Sequence, residues 1–94
     1  MKHCILVKWN EKVLDKKVLE KDVRELFLKA LSIPEISDIN FIENCVDKSN
    51  RYDFLIMIDI KKEDLPIWNE CDIHKEWKSS FGEFLESKAI FDFE

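Results

Sequence analysis

Two histidines, His3 and His74, are the side chains best suited to moving a proton near neutral pH, and they stand far apart in the chain. His74 ends the run Asp72-Ile73-His74, and Trp77, Phe81 and Phe84 follow it at three- and four-residue intervals. That spacing predicts a helix with His74 in its first turn and an aromatic stripe beside it. The positive end of the helix dipole disfavours an imidazolium there, which leaves a neutral ring able to accept a proton. His74 is therefore the candidate acid/base group, set against the plainer role of a hydrogen-bonding or capping residue. His3 alternates with Ile5, Val7 and Trp9 along one side of an extended run. If helices cover that side, His3 looks into the same cleft. Two histidines could share a water there. As a metal site they lack a placed carboxylate or thiolate, so no metal and no cofactor is expected.

Other reactive types offer less. Asp92 interrupts an apolar terminal run and is expected to bond across the fold, with Lys8 or Arg51 as partners. Cys4, Cys45 and Cys71 are odd in number and show no zinc spacing, and Cys4 and Cys45 read as small core hydrophobes. Gly82 is the one glycine and suggests a close backbone approach or a helix break. There is no glycine-rich phosphate loop, no Ser-His-Asp order and no paired-carboxylate motif.

These residues need elements to position them. Lys2–Trp9 reads as a strand, free of Gly and Pro. Asp15 is a good N-cap for an amphipathic helix whose stripe is Val18, Leu19, Val23, Leu26, Phe27, Ala30 and Leu31, ended by Pro34. A second strand spans residues 36–46, a polar turn follows at Asp47-Lys48-Ser49-Asn50, and a third strand spans 51–60, paired with the second as an antiparallel hairpin. Asp64 is placed to cap a short helix with Pro66 in its first turn, ahead of Trp68. Asp72 starts the last helix, and Ala89–Phe93 forms the final strand. The order β-α-β-β-(α)α-β predicts an α+β, ferredoxin-like split β-α-β fold over residues 1–94, a four-stranded antiparallel sheet with helices on one face.

That sheet has two apolar faces. His3, Ile5, Phe54, Ile56 and Ile58 form the more continuous set and should meet the helices. Cys4, Leu6, Leu55 and Met57 lie on the other face, with Ile42 or Phe41 beside them. Hydrophobic residues make up 46% of the chain, with three Trp and seven Phe, more apolar material than a small monomer easily hides. Leaving four to six such side chains bare costs roughly 1.5–3 kcal/mol each, so a second copy of the sheet is the economical cover. Cys4, Leu6, Leu55 and Met57 are then the dimer interface. The 15 basic and 20 acidic residues are interleaved, which argues against nucleic acid and against anionic membrane surfaces. With no signal-like segment or membrane span, a cytoplasmic protein with reduced thiols is expected.

Over nearly its whole length the chain resembles the stress-responsive α/β-barrel proteins, the Dabb family of dimeric α/β barrels. The resemblance rests on Lys2-His3 and the apolar strand ending Lys8-Trp9, on Ile33-Pro34-Glu35-Ile36, and on Arg51-Tyr52-Asp53-Phe54. It continues through Asp72-Ile73-His74 before Trp77 and ends at Ile90-Phe91-Asp92-Phe93. It implies two ferredoxin-like protomers joined sheet to sheet, helices outside. In cyclase-like members, the resemblance implies, a histidine at the position of His74 is the acid/base group, and a histidine at the position of His3 lies beside the pocket. This chain departs from that branch at Trp68, which stands where those members carry a tyrosine hydroxyl, and at Cys71, where many have histidine. An indole donates a hydrogen bond but exchanges no proton.

The functional expectation is a homodimeric barrel protein with a small, mostly apolar ligand cleft in each subunit, lined by His3, Trp68, Trp77, Phe81 and Phe54 beside His74. The alternative is a cofactor-independent acid/base enzyme of cyclase, lyase or isomerase type using His74. A fainter one is a cofactor-independent monooxygenase, because the same barrel hosts such chemistry.

Overall fold

In the computed structural model, which describes residues 1–94, the elements follow the expected order. Strand β1 (Lys2–Trp9) leads through a loop to helix α1 (Lys16–Leu28), whose last turn tightens into a 3₁₀ turn. Strands β2 (Ile36–Glu43) and β3 (Phe54–Ile60) follow, then helices α2 (Leu65–Glu70) and α3 (Asp72–Phe81), and strand β4 (Leu85–Phe93) closes the sheet. The four strands lie in the order β2-β3-β1-β4, every neighbouring pair antiparallel. This is the ferredoxin-like arrangement.

Local chemistry sets the boundaries. The Asp15 carboxylate accepts from the backbone N–H groups of Lys17 and Val18 and so starts α1. Its buried face is Glu20, Val23, Leu26 and Phe27, continued by Ala30, while Val18 and Leu31 face solvent, a correction to the expected stripe. Strands β2 and β3 are both shorter than the sequence suggests at their shared loop. Asn44 and Val46 bond each other there, and Arg51 N–H donates to the Lys48 carbonyl, so those backbone groups leave the ladder. Asp64 makes no side-chain cap. Residues 62–64 instead form a 3₁₀ turn into α2, with Pro66 in the first turn as expected. Helix α3 is capped by Cys71, whose Sγ accepts from the His74 N–H at 3.4 Å. Strand β4 begins four residues earlier than expected, because Leu85 pairs with Trp9 and Ser87 with Lys8.

All helices pack on one face of the sheet. Across that covered face run the rows Ile39-Ile58-His3-Asp92 and Phe41-Ile56-Ile5-Ile90, strand by strand. Trp68, Trp77 and Phe27 seal it from above. Across the open face run Ile42-Leu55-Leu6-Ala89 and Asn40-Met57-Cys4-Phe91. Leu6, Leu55 and Met57 are half-buried there, and Phe91 is 63% exposed, with Ile42 and Phe93 also bare. Cys4 differs from its expected interface companions: it is only 5% exposed within the single chain, screened by its neighbours, and burial pushes its thiol pKa up. Gly82 has an ordinary helical φ of −56° and a Cβ there would meet nothing within 4 Å, so it marks the end of α3 and no close approach.

Candidate active or binding site at the histidine–tryptophan cluster

The residues of the expected cleft converge beneath α2 and α3. Trp68 on α2 stands edge-on to the His74 ring, centroids 5.2 Å apart, and tilts against Phe27 at 5.4 Å. Trp77, one helical turn beyond His74 on α3, packs edge-on to Phe27 at 5.2 Å and beside Phe81 at 5.7 Å. The i to i+3 spacing of His74 and Trp77 puts both on the face that α3 turns inward. Phe54 is not among them. It stacks on Phe41 at 5.9 Å under the guanidinium of Arg24, in a separate group joined to the first through Phe27.

The two histidines are held differently. His3 is buried, and its Nδ1 lies 2.5 Å from Asp92 Oδ1, its cross-strand neighbour. Asp92 therefore answers His3, and neither Lys8 nor Arg51. That hydrogen bond fixes the ring's orientation and leaves Nε2 as its other polar atom. His74 is half-buried, and burial pushes its pKa below the ordinary histidine value. The positive charges of Lys78 and Lys88, and His3 itself, push the same way, while a hydrogen bond to the Asn69 carbonyl pulls back. The net effect favours the neutral form of the ring.

Trp68, Trp77 and Phe54 are essentially inaccessible, and five cavities of the molecule have no lining from His3, His74, Trp68, Trp77 or Phe81. One polar atom inside stands out. The indole N–H of Trp68 is buried without an acceptor, a state that costs about 1–3 kcal/mol.

Sequence reasoning missed Glu20. It is 5% exposed, its Oε2 accepts from the indole N–H of Trp9 at 2.9 Å, and no cation pairs with it. Burial pushes its pKa up, the Trp9 bond opposes that, and Glu43 and Asp53 add to the rise. It lines a polar cleft of about 430 Å³ with Lys16, Lys17, Glu43 and Asp53, where Lys16 pairs with Asp53. The signal was present: positions 20, 23, 27 and 30 share one helical face, and the Trp9 indole on the covered face of β1 needs an acceptor.

No protein-family model matches the chain, and no curated protein matches it. Solved structures do match in fold. A dimeric ferredoxin-like protein of unknown function from Bacteroides fragilis superposes with a TM-score of 0.82 at 21% identity, over 99% of this chain and 93% of that one. A Dabb family protein with a ferredoxin-like fold from Mesorhizobium loti superposes with a TM-score of 0.67 at 12% identity, over 99% of this chain and 93% of that one. A hydroxynitrile lyase from Passiflora edulis gives 0.77 at 10% identity, over 98% and 89%. Two-layer architecture, strand order and these superpositions agree: the chain has a ferredoxin-like α+β fold, shared with dimeric ferredoxin-like proteins and a Dabb family protein.

Proposed function

We propose that the protein is a homodimer packed open face to open face, and that each subunit binds a small, largely apolar molecule beside His74, between α2, α3 and the sheet. His74 carries the ligand reading. It is a half-buried imidazole that burial keeps towards its neutral form, set edge-on to Trp68 in a wall of aromatic side chains. Packing alone is served better by an apolar side chain, because a buried polar group costs free energy unless it is bonded. The tryptophans of the cluster are enclosed in the free protein, so a ligand enters by displacing rings, with Phe81 and His74 only half-buried. A thermal-shift screen of small cyclic and aromatic compounds against wild type and His74→Ala tests this. A ligand at 100 times its Kd stabilises by about 2.7 kcal/mol. That gain should shrink or vanish in the variant. Equal stabilisation of both proteins removes His74 from the site, and a screen without a stabilising compound overturns the reading.

Acid/base catalysis is the second reading, favoured by the His3–Asp92 pair near a neutral His74 and by the likeness to a hydroxynitrile lyase. Incubation with a cyanohydrin and detection of cyanide tests it. Release by wild type that is lost in His74→Ala supports catalysis, and equal rates exclude it for this substrate.

A further inference from the structure

Glu20 is a buried carboxyl group with one of its two oxygens uncommitted. It is 5% exposed, and its Oε2 accepts from the Trp9 indole. Its Oε1 takes part in no hydrogen bond and no ion pair within the chain. Nor is that oxygen sealed in. The buried atoms without a partner are Trp68 Nε1 and Arg24 Nε, so Oε1 opens into the cleft of about 430 Å³ that Glu20 lines. Buried charges are ordinarily paired, and here the nearby cations are engaged elsewhere. Lys16 pairs with Asp53 and Arg24 with Glu43, each at 2.9 Å, and Lys17 pairs with no acid. The wall carries two lysines against four acids, Glu20, Glu43, Asp47 and Asp53. Burial first, then the charges of Glu43 and Asp53, push the Glu20 pKa up against the Trp9 bond and Arg24.

We propose that this cleft is a second binding site, for a small primary ammonium that donates to Glu20 Oε1 and completes the charge pairing the chain leaves open. Its wall shares no residue with the histidine–tryptophan cluster, so it stands independently of the ligand reading above. The acceptors select the cation. Trp9 takes one oxygen of Glu20, Arg24 takes one of Glu43, and Lys16 and the Trp9 backbone N–H take both of Asp53. Single oxygens therefore remain on Glu20 and Glu43. Asp47 keeps both, but on the exposed loop, where a pair with a cation is worth little. A guanidinium binds best where one carboxylate offers both oxygens side by side. An ammonium is a point charge with three rotatable donors and suits separate single oxygens. No group of three or more acidic, histidine or cysteine side chains converges tightly enough to hold a metal ion. A volume of about 430 Å³ is that of a small-molecule site instead.

The test is an NMR titration of the intact ¹⁵N-labelled protein at about pH 8, where an alkyl ammonium keeps its charge. The probes are propylammonium, propylguanidinium, propyltrimethylammonium and magnesium chlorides at matched ionic strength, in wild type and Glu20→Gln. The Trp9 indole proton reports on the site because Glu20 accepts it. Its signal is the one of the three tryptophan indoles that Glu20→Gln displaces. Propylammonium should shift that signal saturably and bind about tenfold more tightly than the other two organic cations. In Glu20→Gln, which keeps an acceptor for Trp9, its affinity should fall by about tenfold. Equal affinities for the organic cations reduce the effect to charge screening and overturn the site. So does binding that survives in Glu20→Gln, a magnesium response stronger than that of propylammonium, or the absence of any saturable shift. The ranking in wild type decides alone if the variant does not fold. None of these outcomes touches the His74 ligand reading, whose readout is His74→Ala.

Discussion

Glu20 is a carboxyl group kept in the core by one indole hydrogen bond and opposed by two neighbouring carboxylates. Its pKa in the folded chain lies above the ordinary value, so the folded state holds the proton more tightly than the unfolded chain does. The stability this gives is present below the ordinary glutamate pKa and is lost as pH rises through the folded-state pKa. At neutral pH the buried carboxylate is a liability. Glutamine offers the same acceptor to Trp9 without the charge. Glu20→Gln should therefore melt about 2–5 °C higher than wild type at pH 7–8, with the difference disappearing below about pH 4. Melting curves across pH check this, and an unchanged or lower melting temperature at pH 8 refutes it. At this scale the sequence was partly readable. His74 at the start of α3 follows from helical spacing, and Trp68 was expected beside it from the resemblance alone. The bond between His3 and Asp92 does not, because it depends on the register between the first and last strands, which tertiary pairing sets.

Helix α3 and strand β4 are joined through Gly82 and a short 3₁₀ turn, and that junction feeds β4 to the sheet edge. Gly82 adopts helical angles with open space around it, so the residue spends its flexibility on nothing the fold requires. Gly82→Ala should stabilise the chain by about 0.4–1 kcal/mol, chiefly by restricting the unfolded state. Denaturant titration measures it, and a loss of stability would show that the junction needs its freedom. Element order, the Asp15 cap and the Pro66 first turn were legible from residue types. The hairpin ends were not, because side-chain bonds of Asn44 compete with the ladder in a way that composition does not reveal. The four extra residues of β4 were hidden for a different reason: Leu85 fits the aromatic stripe of a helix as well as it fits a strand.

The whole molecule presents one covered sheet face and one bare face, as alternation along β1 and β3 implies. The bare face is carried less by Cys4 than by β4, where Phe91 projects farthest. Phe91→Asp should convert the proposed dimer to a monomer at micromolar concentration, because it sets an unpaired charge within an apolar contact. Light scattering decides it, and a variant that keeps the wild-type mass locates the contact elsewhere. Strand β4 also has a wider meaning. Its alternate residues serve both sides of the sheet, Asp92 towards the helices and Phe91 and Phe93 towards the bare face. Asp92 and its two aromatic neighbours are therefore tied together by one stretch of backbone. In the proposed dimer, any coupling between contact at Phe91 and Phe93 and the His3–Asp92 bond is reciprocal, so a molecule that tightens the bond strengthens association by the same factor. The contact of the proposed dimer and the His3–Asp92 bond thus share the nine residues of one edge strand.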